Sequence, residues 1–186
     1  MAFNINEFSS ALKGGGARPT LFKVTMSNPI DNGGVMRDLE FMCESTSMPG
    51  SSISAIELPY FGRKIKVAGD RTFEPWQITV INDESFNIRN AMEAWHSAIN
   101  RLTENVRGTA SSAPSEYKRT ASVTQYGRKG PNDVLRVYKY VGLFPTEISP
   151  IELDWNATDQ IERFTVQFAY DYYELDGGTT DTGNVT

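Results

Sequence analysis

The sequence predicts a mainly β protein, an antiparallel β-barrel or sandwich of about eight strands with one flanking amphipathic α-helix. Three observations lead there. Apolar residues alternate with period two in several segments, most clearly Phe164, Val166, Phe168, Tyr170 and Tyr172 against Thr165, Gln167, Ala169 and Asp171. That spacing sets one face of a strand on a core. One segment instead repeats at three or four, through Ile88, Ala91, Met92, Trp95, Ile99 and Leu102, as a helix does when it covers a sheet. Turn-forming Gly, Pro and Asn punctuate the runs, with 15 Gly and 9 Pro among 186 residues.

Taken in order, residues 3–13 predict a short helix through Ile5, Phe8, Ala11 and Leu12, ended by Gly14, Gly15 and Gly16. Residues 1–16 read as a flexible N-terminal arm, 17–175 as one domain and 176–186 as a loose tail. From Thr20, the residues Phe22, Val24 and Met26 alternate with Lys23, Thr25 and Ser27. Leu39, Phe41 and Cys43 alternate with Asp38, Glu40 and Glu44. Together they predict a hairpin whose long tip, 28–37, carries Asn-Pro and Asn-Gly-Gly. Met48-Pro49-Gly50 ends that pair. Residues 52–68 read as an extended arm more than a regular strand pair, since Pro59 argues against a central strand. Ala68–Arg71 reads as a turn, and Trp76, Ile78 and Val80 as one face of the next strand. Asn82 or Asp83 is the expected N-cap of the helix, with Glu84 in its first turn and its end near 101–106. Residues 107–115 read as a loop. Strands are expected at 119–127, 134–143, about 151–155 and 161–173.

Composition removes most chemistry. Hydrophobic residues make up 39% and aromatic residues 11%, too many for a disordered chain. A single cysteine, Cys43, excludes an intrachain disulfide and a Cys-rich zinc site. A single histidine, His96, excludes motifs that need two imidazoles, and it reads as a partly exposed helix residue. No stretch reaches the roughly 18 apolar residues of a membrane span, and no secretory signal is evident, so assembly in a cytoplasm is expected. No nucleophile elbow, phosphate loop, dinucleotide fingerprint or Ca²⁺ loop occurs. The pairs Asp154/Asp159 and Asp171/Glu174 read as turn and strand-end residues, and the Asn156 sequon as chance. Catalytic, cofactor and metal sites are all expected to be absent. The formal charge of −5 disfavours duplex binding over the whole surface. The basic cluster Arg63, Lys64, Lys66 and Arg71, beside apolar Ile53, Ile56, Leu58, Tyr60 and Phe61, fits pairing with another chain better than nucleic acid. A long apolar extension on a small domain finds its partner on a neighbouring subunit.

Several segments resemble the tail tube proteins of contractile-tailed bacteriophages. They are ARPTLFKV at 17–24, FMCESTSMPG at 41–50 and RKIKVAGDRTFEPWQITVINDE at 63–84. Further along come SEYKRTASVTQYGR at 115–128, GLFPTEISPIELDW at 142–155 and IERFTVQFAYDYYE at 161–174. The resemblance covers most of 17–174, and the type VI secretion tube protein is a relative of that family. It implies a structural subunit, not an enzyme, that forms hexameric rings stacked into a tube whose channel conducts viral DNA into the host. A related tube that delivers effector proteins is the alternative. The implied partners are further copies of the chain, the tail sheath, the baseplate, the tail terminator, and the tape-measure protein and DNA in the lumen. The virion tail is the implied location. In such a tube residues 47–71 are expected to carry subunit or ring contacts. A wall that lets DNA slide must not grip phosphates. Polar strand faces therefore supply the lumen candidates Glu40, Glu44, Gln77, Thr79, Thr120, Ser122, Thr124, Thr165 and Gln167.

Overall fold

The computed structural model of the chain describes residues 5–12, 15–30, 35–108 and 113–175. Helix α1 spans Ile5–Ala11, inside the segment where a helix is expected. Strand β1 (Phe22–Met26) buries Val24 and Met26 as the alternation requires. Its partner is not the one expected. β1 pairs antiparallel with β6 (Arg119–Tyr126), Val24 facing Val123.

The segment expected as the second arm of a hairpin is instead helix α2 (Val35–Met42), followed by the four-residue strand β2 (Cys43–Thr46). Met36 and Leu39 are buried while Phe41 is exposed. The Leu39–Phe41–Cys43 alternation thus lost to a three-and-four stripe through Val35, Met36, Leu39, Met42 and Cys43, all in or against the core. Of the expected long tip, residues 31–34 lie outside the described residues. Asn28 organises its start: the side chain donates to the Ala91 carbonyl at 3.2 Å and accepts from the Ile30 amide at 3.0 Å.

Two long strands follow, β3 (Ser51–Tyr60) and β4 (Arg63–Phe73), which among the described residues pair only with each other in a two-stranded sheet. The arm is therefore a regular hairpin. Pro59 is tolerated because each strand of a two-stranded ribbon has a free edge, and the turn expected at Ala68–Arg71 is absorbed into β4, where the register shifts opposite Ile53 and Ala55. Then β5 (Trp76–Ile81) returns to the main sheet, burying Trp76, Ile78 and Val80.

Helix α3 covers Asn87–Ile99. It starts later than Asn82 or Asp83, because Asn82 is buried and committed elsewhere: its amide side chain donates to Glu162 Oε2 and its backbone N–H to the Glu162 carbonyl, both at 2.9 Å. The cap is Phe86 in the left-handed region. The helix ends at Ile99, leaving Leu102 exposed, while Ile88, Met92 and Trp95 are buried as the stripe demands. A one-turn helix, α4 (Pro114–Tyr117), begins at the end of the expected 107–115 loop, of which 109–112 are outside the described residues.

β7 (Val134–Ile148) is the longest strand and holds the sheet together. Its first half pairs with β6 and its second with β8 (Arg163–Ala169), while β9 (Tyr172–Leu175) lies beside 138–141. Residues 151–155 form no strand, and the run expected at 161–173 breaks at Tyr170–Asp171. The break faces Gly142, whose φ of 73° and close approach to the Asp171 carboxylate leave no room for a Cβ. Lys118 holds that carboxylate at 2.7 Å.

The main sheet runs β1-β6-β7-β8-β5-β2 and does not close on itself among the described residues. The mainly β, antiparallel reading holds, with nine strands among the described residues in place of about eight and an open sheet in place of a barrel. Helices α2 and α3 cover one face, over a core of Val24, Leu39, Trp76, Ile78, Val80, Met92, Trp95, Tyr140, Leu143, Phe164, Val166 and Phe168.

Candidate functional site: an exposed hairpin and a polar sheet face

The β3–β4 hairpin is built to stand away from the core. Its tip is a two-residue turn, Phe61-Gly62, with φ of 42° and 83°. Positive φ at both positions matches the twist of paired strands, and glycine carries the second at little cost. Cross-strand partners point to the same side of a ribbon. Ile56 faces Val67 and Leu58 faces Ile65, so one side is apolar, while Glu57, Lys64 and Lys66 occupy the other. Lys64 pairs with Glu57 at 2.7 Å. Arg63, Lys66 and Arg71 form no ion pair among the described residues. All ten residues of β3 are exposed, and the Phe61 ring at the tip is 93% exposed. All nine residues expected at an interface, Ile53, Ile56, Leu58, Tyr60, Phe61, Arg63, Lys64, Lys66 and Arg71, are thus brought together on this one projection.

The root of the hairpin is clamped. On the β3 side the Ser47 carbonyl accepts from Trp76 Nε1 at 3.0 Å and from the Tyr140 hydroxyl at 3.1 Å. Trp76 also donates to Thr46 Oγ1 at 2.9 Å. The Trp76 and Tyr140 rings stack with centroids 4.4 Å apart, and burial raises the Tyr140 hydroxyl above its ordinary range. On the β4 side Phe73 packs on Tyr170 and Tyr173 at 5.8 and 5.7 Å. An aromatic cluster that runs from buried Trp76 and Tyr140 out to half-buried Tyr170, Tyr173 and Phe73 therefore fixes both legs of a ribbon that itself touches solvent. No local pattern announces this, because Ser47 and Tyr140 are 93 positions apart.

The second feature is the sheet face turned away from the helices. Gln77 lies opposite Gln167 and Thr79 opposite Thr165, forming a polar patch on β5 and β8. On β6, Ser122 shares a hydrogen bond of 2.5 Å with Thr25 Oγ1 and faces Lys139 of β7, while Thr124 faces Lys23. Thr120 extends this row and accepts at its carbonyl from Ser27. Thr25 and Lys139 complete the face and were missing from the sequence-based set. Glu40 and Glu44 do not share a strand face. Glu40 lies on α2, paired with Lys23 at 2.7 Å, and Glu44 on β2, paired with Arg163 at 2.5 Å. The Glu40 carboxylate raises the Lys23 ammonium above its ordinary value.

The residues considered for chemistry are scattered. His96 is exposed on α3. Burial pushes the Cys43 thiol up to about 12, which keeps it protonated and unreactive. Asp154 Oδ1 accepts from its own loop, at the Asn156 amide, 2.9 Å away.

Comparison with known proteins agrees with an assembly protein. The family described as phage tail tube protein matches residues 6–176. Tail tube protein gp19 of Enterobacteria phage T4 is 36% identical over 158 residues, covering 85% of this chain and 91% of its own. Two solved structures share the fold. One, from the tube-terminating cap of the anti-feeding prophage, has a TM-score of 0.62 and 17% identity, covering 87% of this chain and 91% of that one. The other, from the extended PVC sheath–tube complex of an extracellular contractile injection system, has a TM-score of 0.56 and 16% identity, covering 90% and 96%. The open sheet, the projecting hairpin and the family match lead to one conclusion: the chain belongs to the phage tail tube protein family and is a structural component of the virion tail.

Proposed function

We propose that the β3–β4 hairpin is the contact through which copies of this chain polymerise into six-fold rings, stacked as a tube that conducts viral DNA. One observation carries the reading: an amphipathic ribbon, solvent-exposed along all of β3, is anchored at one leg by the buried Trp76 and Tyr140 rings and at the other by the half-buried Phe73, Tyr170 and Tyr173. Apolar strands left in water are an aggregation hazard unless a partner covers them. In a tube, that partner is always present. The channel wall is the polar sheet face carrying Gln77, Thr79, Thr120, Ser122, Thr124, Thr165 and Gln167, whose side chains offer hydrogen bonds without a dense positive charge. DNA fits this channel better than effector proteins, because the relative at 36% identity is a phage protein.

The chain works by shape and carries no reaction. Sheath and terminator are its partners, a reading supported by solved neighbours that come from a sheath–tube complex and a tube-terminating cap. The baseplate and the tape-measure protein complete the set that family membership favours. Deleting residues 52–60 is expected to leave a folded, soluble monomer by sedimentation, with no tubes by negative-stain microscopy. Normal tubes from that deletion would refute the assignment.

A further inference from the structure

A ribbon that docks needs a receptor, and the molecule carries a surface of matching chemistry. Residues 151–162, IELDWNATDQIE, connect β7 to β8 and contain four carboxylates and no basic residue. Leu153 and Ile161 are exposed, and Trp155 is fully so. Among the described residues none of Glu152, Asp154, Asp159 or Glu162 forms an ion pair. A lone exposed indole between acidic residues is costly surface for a monomer to keep. The hairpin, residues 51–73, is its complement, with four basic residues, two acidic ones and an apolar face.

Their placement matters as much as their charge. The hairpin joins β5 at Trp76. The loop is fastened at the other end of the same strand, where Ile81 pairs with Arg163 and Asn82 holds Glu162 by two hydrogen bonds of 2.9 Å. Six residues of strand separate the two attachment points by about 17 Å, and the two surfaces lie at opposite ends of β5. Hairpin against hairpin would bring together two ribbons that each carry an excess of positive charge. Hairpin against loop gives opposite charges and apolar cover on both sides, and a contact between two different patches is the kind that repeats into rings and filaments.

We infer that the 151–162 loop, centred on Trp155, is the receptor for the β3–β4 hairpin of another copy of this chain. The inference rests on the hairpin being an assembly surface, as proposed above. Wild-type tubes treated with a zero-length carbodiimide cross-linker are expected to yield inter-subunit amides joining Lys64 or Lys66 to Glu152, Asp154, Asp159 or Glu162. Links from these lysines to other segments only would overturn it. Arg63→Glu with Lys66→Glu, and separately Asp154→Lys with Asp159→Lys, are each expected to lower the polymerised fraction about tenfold or more. All four substitutions together restore tubes, because the charges are exchanged across one contact. Near-UV circular dichroism of each soluble variant checks that it is folded. Wild-type polymerisation of the Asp154→Lys/Asp159→Lys protein, or a combined variant that stays soluble, sinks the pairing while leaving the hairpin assignment standing. Wild-type polymerisation of the hairpin variant, together with tubes from the 52–60 deletion, removes both.

Discussion

Single side chains divide into those that hold the core and those that hold the projection. Trp95 belongs to the first group: it is fully buried, donates from Nε1 to the Tyr117 carbonyl at 3.0 Å and lies 6.2 Å from the Phe168 ring. Trp95→Ala is expected to cost about 3–5 kcal/mol through lost burial and the cavity left behind, read as a lowered urea midpoint. Trp95 was legible because helical spacing placed it on one stripe with Ile88 and Met92. The Trp76–Tyr140 clamp was not, since its hydrogen bonds join residues far apart in sequence. Cys43 shows how a correct inference can have an incomplete basis. Its alternation with Leu39 and Phe41 reads as that of a small core residue; it is half-buried against the core, but at a helix-to-strand junction and not in the middle of an alternating run.

Elements were legible where one periodicity ruled and obscure where two competed. The strands through Val24, Ile78 and Val166 offered only alternation and formed strands, although the last stops at Ala169. The 35–43 segment satisfied both periods over a short span, and packing against β1 and α3 decided for the helix. For 52–68 the rule about Pro59 was sound but its reach was narrow, because a ribbon of two strands has no centre. The hairpin makes its own prediction. Gly62 carries φ of 83°, and Gly62→Val forces a β-branched residue into the left-handed region at a local cost of about 1–2 kcal/mol. Because β3 and β4 pair with no other strand among the described residues, the unfolding midpoint of the domain is expected to stay put. Polymerisation, followed by light scattering, is expected to slow. A shifted midpoint with unchanged assembly would place the hairpin in the core's folding unit.

At the scale of the molecule, the sequence indicated an assembly subunit because one segment had too much apolar surface and no chemistry to explain it. What stayed hidden was closure: strand count alone does not reveal whether a sheet seals its edges, and among the described residues the edges belong to β1, β2 and the short β9. The polar face was legible in part. Gln77, Thr79, Thr165 and Gln167 were recoverable from two neighbouring strands of clean alternation, whereas Glu40 was drawn in by a strand that is a helix. If that face is the channel wall, further lysines beside Lys139 would add to its hold on phosphates as DNA passes. Phage carrying Thr79→Lys and Thr165→Lys are expected to assemble full-length tails yet release their genome more slowly in a dye-accessibility assay. Unchanged release would move these residues out of the lumen.

The hairpin leaves one end of β5 and the 151–162 loop is pinned at the other. A stack joined by such a plug and socket has a direction. Its first ring displays only one of the two surfaces and its last ring only the other. Growth is then favoured from a single end, and the proteins that start and stop the stack must present opposite chemistries, one acidic and aromatic, the other basic and aliphatic.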